Sequence, residues 1–230
     1  MPVTTTNYID EIDALISRKS LLLHPFYQAW TKGELTLDSL RDYAAQYYHH
    51  VAAFPTYLSA THANMDNIQD RRLVLANLMD EEAASPNHPD LWLQFAESLG
   101  LEDEEVKRTQ IQEETANLIN EFKSICSQES TVSALAALYA YESQIPAVAE
   151  SKIKGLKQHY GIDNHDGIAY FEVHIEADKE HSAVERDLLA RYINQRNAED
   201  TMMAVDRVLE ALWGLLDGVC ERHGIACSLH

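Results

Sequence analysis

The stretch from Tyr170 to Tyr192, YFEVHIEADKEHSAVERDLLARY, contains no glycine or proline and repeats with helical period. At about 100° per residue, Tyr170, Ala177, Val184, Leu188 and Tyr192 fall on one stripe. Glu172, Glu176, Lys179, Glu180, Arg186 and Asp187 cover the opposite, solvated side. His174 and His181 lie within the apolar stripe, and Asp178 sits at its edge. The spacing His-x3-Asp-x2-His therefore stacks three metal-ligand types on the buried side of one helix. A buried carboxylate without a partner is costly. The pattern points to a bound cation rather than to polar residues that merely hydrogen-bond within a core.

Breakers are few elsewhere too. Eight glycines and six prolines in 230 residues leave long uninterrupted stretches, which favours an all-α fold. With 46% hydrophobic residues the chain can build one sizeable core, so residues 1–230 are expected to form a single helical domain. The 37 acidic residues outnumber 18 basic ones, a formal charge of −19. Such a surface repels phosphates, which argues against a nucleic-acid or anionic-membrane partner. Cys126, Cys220 and Cys227 form no CxxC and are odd in number, so no disulfide framework is expected. There is neither an 18-residue apolar span nor a basic leader, and a soluble cytoplasmic protein is the expectation.

Read in order, Tyr8, Ile9, Ile12, Leu15 and Ile16 form one face of a first helix. Pro25 opens a short second one that Gly33 ends. Thr36 or Asp38 caps the next, Leu37 to Ala63, rich in tyrosine and histidine and expected to bend at Pro55. Further helices are expected over Ile68 to Ala84, from Pro89 to Gly100 and, as one long charged rod, over Glu102 to Ser127. Ser130 or Thr131 caps another that reaches Lys154 with a kink at Pro146. Gly161 to Gly167 separates it from the ligand-bearing helix, and a strongly amphipathic helix from Glu199 to Arg222 closes the chain.

Between Glu129 and Glu150 the sole charged side chain is Glu142, in surroundings (SALAALYAYESQIPAVA) that are apolar on nearly every side. The helix should be buried all round, and Glu142 then needs a cation or a hydrogen-bonding tyrosine or backbone group. Pro146 gives no amide proton to the carbonyl of Glu142, so the helix should loosen there. The segment NLMDEEAASPNHPDLW adds Glu81 and His88, with Asp80 and Glu82 as rival carboxylates that the spacing does not separate. Three carboxylates and three imidazoles on inward faces are the inventory of a dinuclear iron or manganese site, since mixed N/O ligation without thiolate suits those metals.

The segments HPFYQAWTKGEL, LRDYAAQYYHHVAAFPTYLSATHAN and NLMDEEAASPNHPDLWLQFAESLG resemble the pyrroloquinoline-quinone-synthase-like proteins of the haem-oxygenase-like superfamily. The resemblance is strongest to the branch named for the chlamydial protein associating with death domains. It implies a compact haem-oxygenase-like helical bundle of about seven or eight helices, commonly a homodimer. It implies a dinuclear centre, Fe/Fe or Fe/Mn, held by Glu81, His88, Glu142, His174, Asp178 and His181, and so favours Glu81 over its neighbours. The cofactor-free quinone synthase lacks this full set. The branch is further implied to make p-aminobenzoate for folate synthesis, using O2 and an external reductant to excise one of its own tyrosines. That tyrosine falls on Tyr27, a helper tyrosine on Tyr43, and the amino donor on Lys152. Without the resemblance, Tyr27 reads as a core aromatic, Tyr43 as an ordinary helix residue and Lys152 as a solvated one.

Four functions compete on these residues. They are the self-sacrificing oxygenase, a multi-turnover oxidase of the same centre acting on a free small molecule, a thiaminase-like hydrolase, and a non-enzymatic interaction module. The hydrolase needs a cysteine nucleophile, and no cysteine lies in the ligand motifs. The module has no use for six inward ligands.

Overall fold

A computed structural model describes residues 5–226. Among them are eleven α-helices: α1 (Thr5–Arg18), α2 (Pro25–Lys32), α3 (Leu37–Ala63), α4 (Ile68–Glu82), α5 (His88–Ser98), α6 (Asp103–Arg108), α7 (Glu113–Gln128), α8 (Thr131–Glu142), α9 (Ile145–Gly155), α10 (His165–Tyr192) and α11 (Ala198–His223). This exceeds the seven or eight that the resemblance implies; the nine stretches read in order become eleven because two long ones are each cut in two.

The first cut has a visible cause. Gln46, buried on α3, donates to the carbonyl of Gln110 and accepts from the amide of Gln112 and the hydroxyl of Thr115. One side-chain amide thus satisfies the free backbone groups of the α6–α7 turn, so the expected single rod from Glu102 to Ser127 does not form. The second cut, between α8 and α9, follows Glu142 directly and places Pro146 in the first turn of α9, where its missing amide proton costs nothing. α3 runs unbroken through Pro55.

Side-chain caps fix five of the other starts. The side chains of Thr36, Asn67, Asn87, Ser130 and Asn164 each accept from a first-turn amide of α3, α4, α5, α8 and α10. Each such cap is worth about 1 kcal/mol. Asn164 bonds Gly167, so α10 begins before Tyr170 and includes that glycine, not a loop through it. A Cβ at Gly167 would meet Ile162 Cγ2 at 2.4 Å, and glycine is what lets the first turn pack that closely.

Every residue of α8 from Val132 to Glu142 is buried, as its composition demands. α10 and α11 pack along it, α10 also meets α5 and α9, and α3 covers α4, α5 and α7. Residues from α4, α5, α8 and α10 thereby face one interior region, next to a second one lined by α2, α3 and α9.

A candidate dimetal centre

Glu81 sits in the last turn of α4, His88 opens α5, Glu142 ends α8, and His174, Asp178 and His181 ride one stripe of α10. All six are buried. They gather into two groups, Glu81–His88–His174 and Glu142–Asp178–His181, each offering three ligand atoms within 4.8 Å of one another. The rings of His88 and His174 stand 4.3 Å apart, and His181 Nδ1 lies 3.5 Å from Asp178 Oδ1 and 3.8 Å from Glu142 Oε1. Neither rival carboxylate joins these groups. Asp80 instead accepts from His181 Nε2 at 3.0 Å and is 61% exposed.

The polar atoms of this region fit a cation. His88 Nδ1, His181 Nδ1 and Asp178 Oδ2 are shielded from solvent and have no hydrogen-bond partner. His88 Nδ1 approaches Glu81 Oε2 to 2.9 Å but lacks hydrogen-bond geometry. Orphaned atoms at such density are costly unless something joins them. The orienting contacts are in place: Tyr170 carbonyl fixes His174 Nδ1 at 2.6 Å, leaving Nε2 to ligate, and Asn77 donates to both oxygens of Glu142 at 3.0 and 3.2 Å. Asn77 carried no signal in the sequence, being one polar residue on a mostly exposed helix.

Electrostatics agree. Burial raises the pKa of Glu142 and drives that of Asp178 well up, while burial and the neighbouring His88 hold His174 well below the ordinary histidine range. Burial opposes a charge on His181 too, but the contacts with Asp178, Glu142 and Asp80 prevail and bring it to about 9. Protons thus stand in for the charge a divalent pair would bring. Cys126 is buried and its thiol is pushed up to about 12, which disables it as a nucleophile. Cys220 is buried, and Cys227 lies outside the described residues.

Beside the six lies an aromatic chamber. Lys152, 3% exposed on α9, donates from Nζ to Tyr43 Oη at 2.6 Å, and Tyr43 Oη lies 3.2 Å from Tyr27 Oη. The amine stands 5.0–5.4 Å from the ring centroids of Tyr27, Tyr43, Tyr47, Trp92 and Phe171. Ring faces favour an ammonium, but loss of water prevails and keeps its pKa well below the usual lysine value. Burial likewise raises the phenols of Tyr27 and Tyr43. The chamber and the centre touch: Trp92 packs on Tyr170, whose ring stacks 4.0 Å from that of His174. A small cavity of about 10 Å³, room for about one water, lies between Tyr141, Tyr170, Glu81, Glu142, His174 and Asp178.

A sequence profile of the family described as iron-containing redox enzymes matches residues 41–213. The chain is 43% identical to a 4-aminobenzoate synthase of Chlamydia muridarum, over 97% of this chain and 94% of that one. It is 40% identical to a 4-aminobenzoate synthase of Nitrosomonas europaea, over 96% and 94%. A solved structure of a CADD-like protein of unknown function from Nostoc punctiforme shares the fold with a TM-score of 0.77 at 16% identity, over 96% and 99% of the two chains. No helix among the described residues is long and apolar enough to cross a membrane. With the profile spanning most of its length and these relatives nearly all of it, the chain belongs to the family of iron-containing redox enzymes with a haem-oxygenase-like fold.

Proposed function

We propose that this enzyme is a 4-aminobenzoate synthase. In this reading it excises the side chain of its own Tyr27, takes nitrogen from Lys152, and consumes O2 and an external reductant. The observation that carries the reading is the hydrogen-bonded line Tyr27–Tyr43–Lys152, sealed from water beside six converging ligands. Glu81, His88 and His174 would hold one cation and Glu142, Asp178 and His181 the other. A bound Fe/Fe or Fe/Mn pair supplies the O2-dependent oxidation of a phenol.

The chain's own residues do the rest. A lysine acts as nitrogen source only while neutral, and its dry, ring-walled position keeps it so. Tyr43 holds the amine against its hydroxyl and bridges to Tyr27, giving a proton a path between the two reacting side chains. Holding Tyr27 in the fold removes the entropic cost of capturing a free substrate. Trp30 fixes the backbone of Lys152 through a bond from its indole to the Lys152 carbonyl at 3.2 Å.

Intact-mass analysis of the reduced, metal-loaded protein after exposure to O2 tests this. A mass loss confined to the peptide holding Tyr27, with at most one product per chain, is expected. Product in excess over protein would overturn self-sacrifice in favour of turnover on a free substrate.

A further inference from the structure

One more carboxylate lies on the ligand stripe of α10. Glu185 follows His181 by four residues and Asp178 by seven, is 3% exposed, and has both carboxylate oxygens shielded from solvent without a hydrogen-bond partner. Burial and the adjacent Glu142 carboxyl hold its pKa well above the ordinary value. It is absent from the trio Glu142–Asp178–His181 that comes within 4.8 Å, so it stands one step outside that position. It also lines a cleft of about 130 Å³ whose polar side it forms with Asn77, Asp80, Glu180 and His181 and whose other side is apolar. The walls of this cleft run from exposed acids, Asp80 and Glu180, to buried Glu185 and His181.

The geometry points to Glu185 as a relay ligand for the second divalent cation, with this cleft as its route inward. The inference rests on the dimetal reading. Oxygen donors suit a hard or borderline cation that sheds water stepwise. Asp80 meets it at the mouth, Glu185 takes it within the protein, and Glu142, Asp178 and His181 receive it. A relay lowers the barrier without belonging to the final complex, so it speeds arrival and departure equally. Glu185→Gln keeps the size and polarity of the side chain but removes the ionisable oxygen donor, which separates a relay from a mere packing acid.

The test is anaerobic stopped-flow loading of the metal-free full-length chain with Co(II), followed by its visible absorption, and release into a chelator. Two uptake phases, one per position, are expected in the wild type. Glu185→Gln should slow one phase on the order of tenfold, the effect of about 1.4 kcal/mol on a barrier. It should slow release from that position by the same factor, with Kd unchanged and the other phase untouched. Asp80→Asn, at the exposed mouth, should slow the same phase. Uptake like that of the wild type, equal slowing of both phases, or weaker affinity with normal uptake would each overturn the relay. A wild type that binds fewer than two Co(II) would instead overturn the dimetal reading, and the relay with it.

Discussion

Lys152→Met measures whether the amine beside Tyr43 is neutral in the folded protein. The free lysine pKa is 10.5 and burial lowers it well below that, so across the interval between the two values the unfolded chain binds one proton more than the folded one. Stability then rises with pH, by about 1.4 kcal/mol per unit for one such group. Methionine has similar volume and no charge, so the variant lacks this slope. Its loss of the bond to Tyr43 adds an offset of about 1 kcal/mol that does not depend on pH. Between the folded pKa and about pH 9.5, wild type minus variant should climb by about 1.4 kcal/mol per pH unit in urea unfolding of the chelator-treated proteins at fixed ionic strength. Other titrating groups are common to both proteins and cancel. A difference that stays flat over this interval would mean a charged lysine inside the ring cage, and the neutral-donor reasoning would be wrong.

Three shorter expectations follow. Tyr27→Phe should abolish 4-aminobenzoate formation while metal content by elemental analysis stays at the wild-type level; any product from the pure variant contradicts the role of Tyr27. His50 is fully buried among Tyr47, Phe54, Tyr57, Phe122 and Tyr141, with neither ring nitrogen partnered and a pKa lowered to about 3 by burial. Its neutral form is the folded one, so stability is lost as pH falls below about 6.5, and at pH 5 His50→Phe should be more stable than wild type by about 2 kcal/mol relative to pH 7.5, read from unfolding curves. Gly155→Ala puts a Cβ 2.5–2.6 Å from the Trp30 indole and should cost about 1–3 kcal/mol in the same assay, because Trp30 is walled in by Phe26, Tyr27 and Tyr43.

What the sequence makes legible here is periodic or solitary. His174, Asp178 and His181 stand out because charge on an apolar stripe is improbable, and Glu142 because it is alone in a buried helix. Glu185 repeats the stripe at the next turn but belongs to no short motif of its own; extending the 4, 3, 4 spacing of His174, Asp178, His181 and Glu185 would have found it. The α6–α7 break was hidden for a different reason. It depends on Gln46, more than sixty residues away, and no local propensity in Gln110 to Thr115 signals a partner from another helix. Asp80, Glu81 and Glu82 share one acidic run, and only the packing of α4 against α5 and α10 sends Glu81 to His88 and Asp80 to His181.

The aromatic wall between the two clusters has a chemical consequence that neither cluster has alone. Four buried carboxylates lie in one region and a buried lysine in the next, and the ordinary outcome would be an ion pair. An ion pair would hold Lys152 as an ammonium, which has no lone pair to give, and would neutralise a carboxylate that a cation needs. The fold prevents it by spacing. Trp92 and Phe171 face the amine, Trp92 and Phe171 pack on Tyr170, and Tyr170 covers His174, so the amine's bonded neighbour is a phenol. The pKa of Lys152 accordingly answers to burial, with no carboxylate raising it. Insulating the two ionisable groups from each other leaves the carboxylates free for a cation and the amine without a charged partner, within one continuous interior.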